Sequence, residues 1–181
     1  MNNYKIYSVS DRYIDYLRKY VPGVYSNKEE TRTHTRKYIG VVYSINGYNY
    51  YIPLSSPKDT DYKLVKGKKV IRKSVVPIMR ITDKNSAEEP ELKATLRISH
   101  MIPVPLSELT LYDLDNEPDL EYKDLVQKEI IFIRKNKEKI KGNAKLIYKQ
   151  KAINDQTANY VKMALDYKLL EELCEIFLKT Y

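Results

Sequence analysis

The stretch Tyr38-Ile39-Gly40-Val41-Val42-Tyr43-Ser44-Ile45-Asn46-Gly47-Tyr48-Asn49-Tyr50-Tyr51-Ile52 decides the fold. Two runs rich in β-branched and aromatic residues flank Asn46-Gly47. Such runs fit a pleated, half-buried surface. Asn-Gly tolerates positive φ at both central positions of a two-residue turn, and that turn has the twist that paired strands need. The spacing therefore predicts an antiparallel hairpin. Pro53, which offers no N–H to a ladder, is expected to end its return strand.

Working outward, Tyr4 to Val9 alternates and reads as a strand. Ser10 or Asp11 can cap a helix running to about Tyr20, with Tyr13, Leu17 and Tyr20 on its inward face. Val21-Pro22-Gly23 ends it, and residues 24–36 read as a polar surface loop. Downstream, residues 54–68 read as a long basic loop, and Val70 to Ile81 as strand-like runs interrupted by Pro77. Residues 82–91 read as an acidic loop, Leu92 to Ile98 as a strand, and Met101 to Val104 as a short one. The C-terminal third is helical. One helix is expected from Pro118 to about Lys141, with Tyr122, Leu125, Val126, Ile130 and Ile133 on one face. Gly142 breaks it, and a shorter helix follows from about Ala144 to Ile153. A last helix spans 158–179, with Val161, Leu165, Leu169, Leu173 and Phe177 inward. Strands first and helices later imply an α+β fold: a compact antiparallel sheet or partial β-barrel with packed helices, in one domain over residues 1–181.

Composition narrows the chemistry. Cys174 is the only cysteine, which suits a reducing compartment. The N-terminus lacks a signal pattern and no apolar run approaches the ~18 residues that span a bilayer, so a cytoplasmic protein is expected. The net charge of +8 is concentrated. Residues 58–73 hold seven Lys/Arg against two Asp, and residues 134–151 hold eight against one Glu. Two such zones attract a phosphate backbone. Codon bias in A+T-rich DNA also favours Lys, Asn, Ile and Tyr, but it would spread charge rather than cluster it. The eighteen Tyr can stack on unpaired bases, although most belong to strands and core. One Cys with His34 and His100 cannot build a usual zinc site. Neither a Gly-rich phosphate loop nor a paired-carboxylate motif of a two-metal nuclease is present. A phosphodiester-cleaving chain of this composition is expected to work without metal or cofactor.

Tyr51-Ile52-Pro53-Leu54-Ser55-Ser56-Pro57-Lys58 leaves the hairpin with two prolines stiffening a pair of serines, and a cation follows. Hydroxyls beside a cation on a rigid loop suit a phosphate; a plain surface turn has the same composition. Pro53-Leu54-Ser55-Ser56-Pro57-Lys58 resembles the Pro-Leu-(Ser/Thr)-Ser-Pro-Lys signature of the ToxN/AbiQ family of RNA-antitoxin-controlled toxins. Other segments are similar to that family in the same order. They are Tyr7, Tyr13-Ile14-Asp15-Tyr16-Leu17, Tyr38 to Val42, Ile45 to Tyr51, Met101-Ile102-Pro103, Leu111 to Leu114, Tyr122-Lys123, and Phe132 through Asn136. The likeness covers most of the chain to about residue 150.

The resemblance implies a MazF/Kid-like bent sheet with added helices, and metal-independent endoribonuclease activity. It further implies a cognate RNA antitoxin, made of pseudoknotted repeats, that the toxin processes and that inhibits it in a closed ring. Growth arrest or abortive infection by phage would follow on release. Position by position, Ser56 matches the family's critical Ser, Ser55 the hydroxyl residue before it, and Lys58 the Lys after it. Arg36 falls where relatives carry a cationic site residue, and Tyr13 on a helix Tyr implicated at the site. Relatives place another Tyr in the loop before the Ile-Gly strand; here Tyr25 reaches in, or His34 or Arg32 substitutes.

These assignments imply attack of the ribose 2′-hydroxyl on its own phosphate. Arg36 and Lys58 would hold the non-bridging oxygens, and Ser56, with Ser55, would orient the phosphate or relay a proton. Tyr13 would stack on a base or bond the phosphate. His34 is a candidate general base or a solvated loop residue, and His100 reads as structural. RNA contacts are expected from Lys63, Lys66, Lys68, Lys69, Arg72 and Lys73, and from Arg134, Lys135, Lys145 and Lys149. A non-catalytic nucleic-acid-binding module, or a protein-interaction domain with merely compositional basicity, are the readings that compete.

Overall fold

The computed structural model describes residues 4–28, 33–83 and 90–181. Strand β1 (Lys5–Val9) leads into helix α1 (Asp11–Tyr20), whose N-cap Ser10 accepts from the Tyr13 amide. Tyr13, Ile14 and Leu17 are fully buried, but Tyr20 is 57% exposed, so the inward stripe stops a turn earlier than its spacing predicts.

The hairpin forms as read. Strands β2 (Lys37–Ile45) and β3 (Tyr48–Ser55) join through Asn46 and Gly47, at φ 52° and 83°. Gly40 is required for another reason: a Cβ there would sit 2.1 Å from the Tyr51 ring. Pro53 does not end β3. Leu54 and Ser55 continue it because they take new partners, Leu96 and Thr95.

The expected basic loop is a second hairpin. After a 3₁₀ turn (Asp59–Asp61), β4 (Tyr62–Val65) and β5 (Lys68–Ile71) pair through Lys66-Gly67, at φ 49° and 77°. Strands β6 (Ile78–Asp83) and β7 (Glu91–Arg97) form a third hairpin. A 3₁₀ turn (Ile98–His100), β8 (Ile102–Pro103) and β9 (Leu109–Leu111) follow. The main sheet runs β6-β7-β3-β2-β1-β9 with β8 also on β3. All its pairings are antiparallel. This path has two ends, so the sheet is open and is not a closed barrel. The short pair β4-β5 stands apart from it.

The helices divide differently from the pattern expected. Helix α2 (Leu120–Lys135) ends at Asn136, whose side-chain amide donates to the Phe132 carbonyl, and α3 (Lys137–Ala152) starts there. Gly142 is an interior residue of α3 in open space, where the helix tolerates it. Residues 159–163 are a 3₁₀ turn, and α4 (Tyr167–Thr180) begins at Asp166, which caps the Leu169 amide. Buried Glu171 docks α4. It accepts from the hydroxyls of Tyr50 (2.8 Å) and Tyr148 (2.7 Å) and pairs with Lys168. Among the described residues no helix is long and apolar enough to cross a membrane. The acidic loop read over 82–91 falls partly at residues 84–89, outside the described residues.

Candidate active site

Ser55 is the last residue of β3, and its pairing with Thr95 of β7 turns its side chain inward. Ser56 is the first residue beyond the ladder and is exposed. The two hydroxyls are therefore unlike: one is buried, the other faces solvent.

Arg36 precedes β2 and threads into the fold at 1% exposure. Its Nη1 donates to the Ser55 hydroxyl at 2.7 Å and to the Leu54 carbonyl at 2.9 Å, and its Nε donates to the Ser26 carbonyl at 3.0 Å. A guanidinium held on several sides has a fixed orientation. The segment 24–36, expected on the surface, is therefore partly interior, with Val24, Asn27 and Arg36 all buried. Arg32 lies outside the described residues.

The turn carrying Ser56, Pro57 and Lys58 is fixed from below by Asp61. Its carboxylate accepts the Lys58 backbone N–H at 3.0 Å, while the Asp61 N–H donates to the Lys58 carbonyl at 2.8 Å. Asp61 is fully buried, and its two oxygens pair with Arg80 of β6 and Arg97 of β7, each at 2.9 Å. Two cations around one buried carboxylate leave a local excess of positive charge under the turn. Among the described residues the Nε atoms of Arg80 and Arg97 have no hydrogen-bond partner.

Tyr25 forms the third side. The Arg36 guanidinium carbon lies 4.8 Å, and the Lys58 ammonium 5.5 Å, from its ring centroid. Against the same ring, His100 stacks at 4.4 Å with planes 13° apart. The pKa of His100 is pushed down to about 4, chiefly by burial and then by the positive charges of Arg97, Lys58 and Arg36. The imidazole is therefore neutral at neutral pH.

Of the residues that the sequence points to, the structure brings together Arg36, Ser55, Lys58 and Tyr25, with Ser56 beside them as the exposed residue between Ser55 and Pro57. It does not bring Tyr13 to them. That ring is buried, packs edge-on against Phe177, and donates its hydroxyl to the Pro103 carbonyl at 2.8 Å. His34 stacks on Tyr122 at 3.7 Å and pairs with Asp119 at 3.0 Å, in an open cleft between β7 and α2 that Pro57 also lines. Asp61, Arg80, Arg97 and His100 escape sequence reasoning. Their pairings join distant strands, and no local pattern signals them; the only hint is a His flanked by apolar residues at 98–104. The first basic zone forms the exposed β4-β5 hairpin, where Lys63, Lys66, Lys68 and Lys69 face solvent beside Arg72 and Lys73. The second covers the exposed side of α3 and the end of α2, including Arg134, Lys135, Lys145 and Lys149. Among the described residues no three His, Cys, Asp or Glu group as a metal cage would require.

Two serines, two cations and an aromatic ring thus lie together at one sheet end, and cationic donors form the strongest bonds to phosphate oxygens. The class is that of an α+β protein with an open antiparallel sheet and basic outer surfaces. Comparison with known proteins specifies it. Residues 5–175 match the family described as toxin ToxN of type III toxin–antitoxin systems, and the chain belongs to that family. It is 33% identical over 175 residues to endoribonuclease AbiQ of Lactococcus lactis, covering 97% of this chain and 90% of AbiQ. It is 27% identical over 180 residues to endoribonuclease ToxN of Bacillus thuringiensis, covering 96% and 84%. A solved type III toxin, selectively inhibited by a non-coding RNA pseudoknot, superposes with TM-score 0.81 at 27% identity, covering 98% of this chain and 99% of that one. The structure of AbiQ, a lactococcal anti-phage endoribonuclease, gives 0.77 at 29%, covering 99% and 100%.

Proposed function

We propose that the chain, acting as one unit over residues 1–181, is a cytoplasmic endoribonuclease toxin that cuts RNA without metal. The observation that carries this reading is the gathering of Arg36, Ser55 and Lys58 around Tyr25 at the end of β3, where exposed Ser56 follows Ser55 in the chain. RNA contains its own nucleophile. Attack of a ribose 2′-hydroxyl on the adjacent phosphorus forms a bond to that oxygen and breaks the bond to the 5′-oxygen. A 2′,3′-cyclic phosphate and a 5′-hydroxyl result. The protein's task is to hold the phosphate in line and to stabilise the added negative charge of the pentacoordinate state.

Lys58 and Arg36 supply that charge, Arg36 partly through the Ser55 hydroxyl that it polarises at 2.7 Å. Exposed Ser56 binds a non-bridging oxygen or relays the proton. Tyr25 stacks on a base or borders the phosphate. Tyr13 has its hydroxyl committed to Pro103 and acts as core.

The naming of relatives as endoribonucleases and the pseudoknot-inhibited neighbour support a cognate RNA antitoxin of pseudoknotted repeats. The toxin would process this RNA and be held by it in a cyclic assembly, with the β4-β5 hairpin and the α3 face gripping its backbone. Release would arrest growth or abort phage infection. The MazF/Kid-like bent sheet implied by the family is part of the same reading, and an open antiparallel sheet is compatible with it. In the testing experiment, purified protein cuts a 3′-labelled RNA, and the downstream product is offered to polynucleotide kinase. Direct phosphorylation shows a 5′-hydroxyl; a requirement for prior phosphatase treatment shows a 5′-phosphate and contradicts the chemistry.

A further inference from the structure

We propose that His100 is a positioning residue of this site: its flat ring is the platform that holds Tyr25 facing the Arg36 and Lys58 cations. The inference rests on the reading of that cluster as the cleavage site, and it assigns a residue that the reading does not need.

Three observations carry it. Tyr25 sits in a segment without regular structure, so no ladder fixes its side chain. Its ring meets the His100 stack, 4.4 Å away and 13° from parallel, and the two cations. His100 is itself rigidly mounted. It closes the 3₁₀ turn after β7, whose backbone fixes it in place; its Nδ1 also lies 2.9 Å from the Ser99 hydroxyl, a contact on which the platform does not depend. The Ser99 carbonyl is tied to α4 by the Tyr167 hydroxyl at 3.1 Å and to the Leu165 amide at 3.1 Å. Orientation thus passes from the core through Ser99 and His100 to Tyr25.

Charge decides which ring can do this. Burial, and then the neighbouring charges of Arg97, Lys58 and Arg36, disfavour a cationic imidazolium here and hold the ring neutral. On the elements packed against this turn, Arg80 pairs with Asp61, Tyr148 with Glu171 and Tyr160 with Gln150, so these groups do not face the His100 ring for want of a partner. A flat, uncharged ring of this size is what the position uses. Phenylalanine should serve in its place, and a branched aliphatic residue should not.

The test compares kcat and KM on a single-stranded RNA for wild type, His100→Ala, His100→Leu and His100→Phe, with thermal melting of each. Misplacing a binding ring by about 1 Å is worth up to about a hundredfold in rate. Leu and Ala are expected to lower kcat at least about tenfold with KM little changed, and Phe to restore kcat to within about threefold. If His100→Ala fails to fold, His100→Leu fills the volume without a flat ring and carries the comparison. Wild-type kcat in folded Leu or Ala variants would overturn the inference, as would a Phe variant as slow as Leu, because the nitrogen and not the ring would then matter. Lys58→Ala separates the two levels. Cleavage that survives in Lys58→Ala sinks the underlying site; cleavage lost there but intact in His100→Leu sinks only the role of His100.

Discussion

The Nη1 of Arg36 donates to the hydroxyl of Ser55 across 2.7 Å, joining the residue before β2 to the last residue of β3. The hairpin between them sets this distance, so the cation and the hydroxyl are built by the same strand pairing that builds the sheet. Replacing Arg36 by Ala removes the hydrogen bonds that this buried group donates to Ser26, Leu54 and Ser55, and leaves two carbonyls to find new partners. A stability loss of about 2–4 kcal/mol is expected. Arg36→Lys keeps the charge but not the fork, and should recover part of the stability but little of kcat. Urea unfolding together with RNA cleavage checks both.

Asp61 is the pivot of the turn. Asp61→Asn leaves Arg80 and Arg97 buried without their counter-charge, an arrangement that costs about 3–5 kcal/mol. The same change weakens the tether on the Lys58 backbone. Melting temperature and kcat should fall together, whereas Lys58→Ala should lower kcat alone. A stable Asp61→Asn protein would show that water enters this network.

Much of this fold is legible in the sequence, and the part that is not has physical reasons. Asn46-Gly47 announces its hairpin because the turn needs positive φ and little else. Lys66-Gly67 makes the same kind of turn, but its flanking strands are lysine-rich and exposed, so no alternation marks them. Gly142 has the look of a helix break, yet Asn136 is the break, because an exposed glycine only weakens a helix while a capping amide ends one. Pro53 misleads because its effect on a ladder depends on which neighbour the strand pairs with next. In the site, Ser55, Ser56, Lys58 and Arg36 lie on or beside the hairpin and can be found from it. Asp61 with Arg80 and Arg97, and His100 with Tyr25, pair across long loops that leave no local signature.

Tyr13 provides a contrast. Its hydroxyl is bound to the Pro103 carbonyl inside the core. Tyr13→Phe should cost about 1–2 kcal/mol in stability and leave kcat unchanged. A large loss of kcat at full stability would return Tyr13 to the site.

Stability should also follow the His100 titration. An unfolded His takes up its proton near 6.5, but the folded ring does so only near 4. Between these values the unfolded state binds more protons, so folding weakens as pH falls through that window and is restored as pH rises. The amount is on the order of 3 kcal/mol at the acid end. In His100→Phe this contribution should be missing from the pH dependence of the urea midpoint.

RNA affinity should separate the two basic surfaces. Charge removal at Lys63, Lys66, Lys68 or Lys69 should reduce the salt slope of RNA binding by about one for each phosphate that is no longer neutralised. The same experiment at Lys145 and Lys149 asks whether the α3 face grips RNA or only meets solvent; an unchanged slope assigns it to solvent.

The most direct measurement is cleavage of RNA by wild type, Ser56→Ala and Lys58→Ala in excess EDTA. The account predicts that wild type cuts under these conditions, leaving 2′,3′-cyclic phosphate ends, and that either substitution lowers the rate by at least about a hundredfold. A wild-type enzyme that is silent until Mg²⁺ is added, or a Ser56→Ala protein that cuts at the full rate, would contradict it.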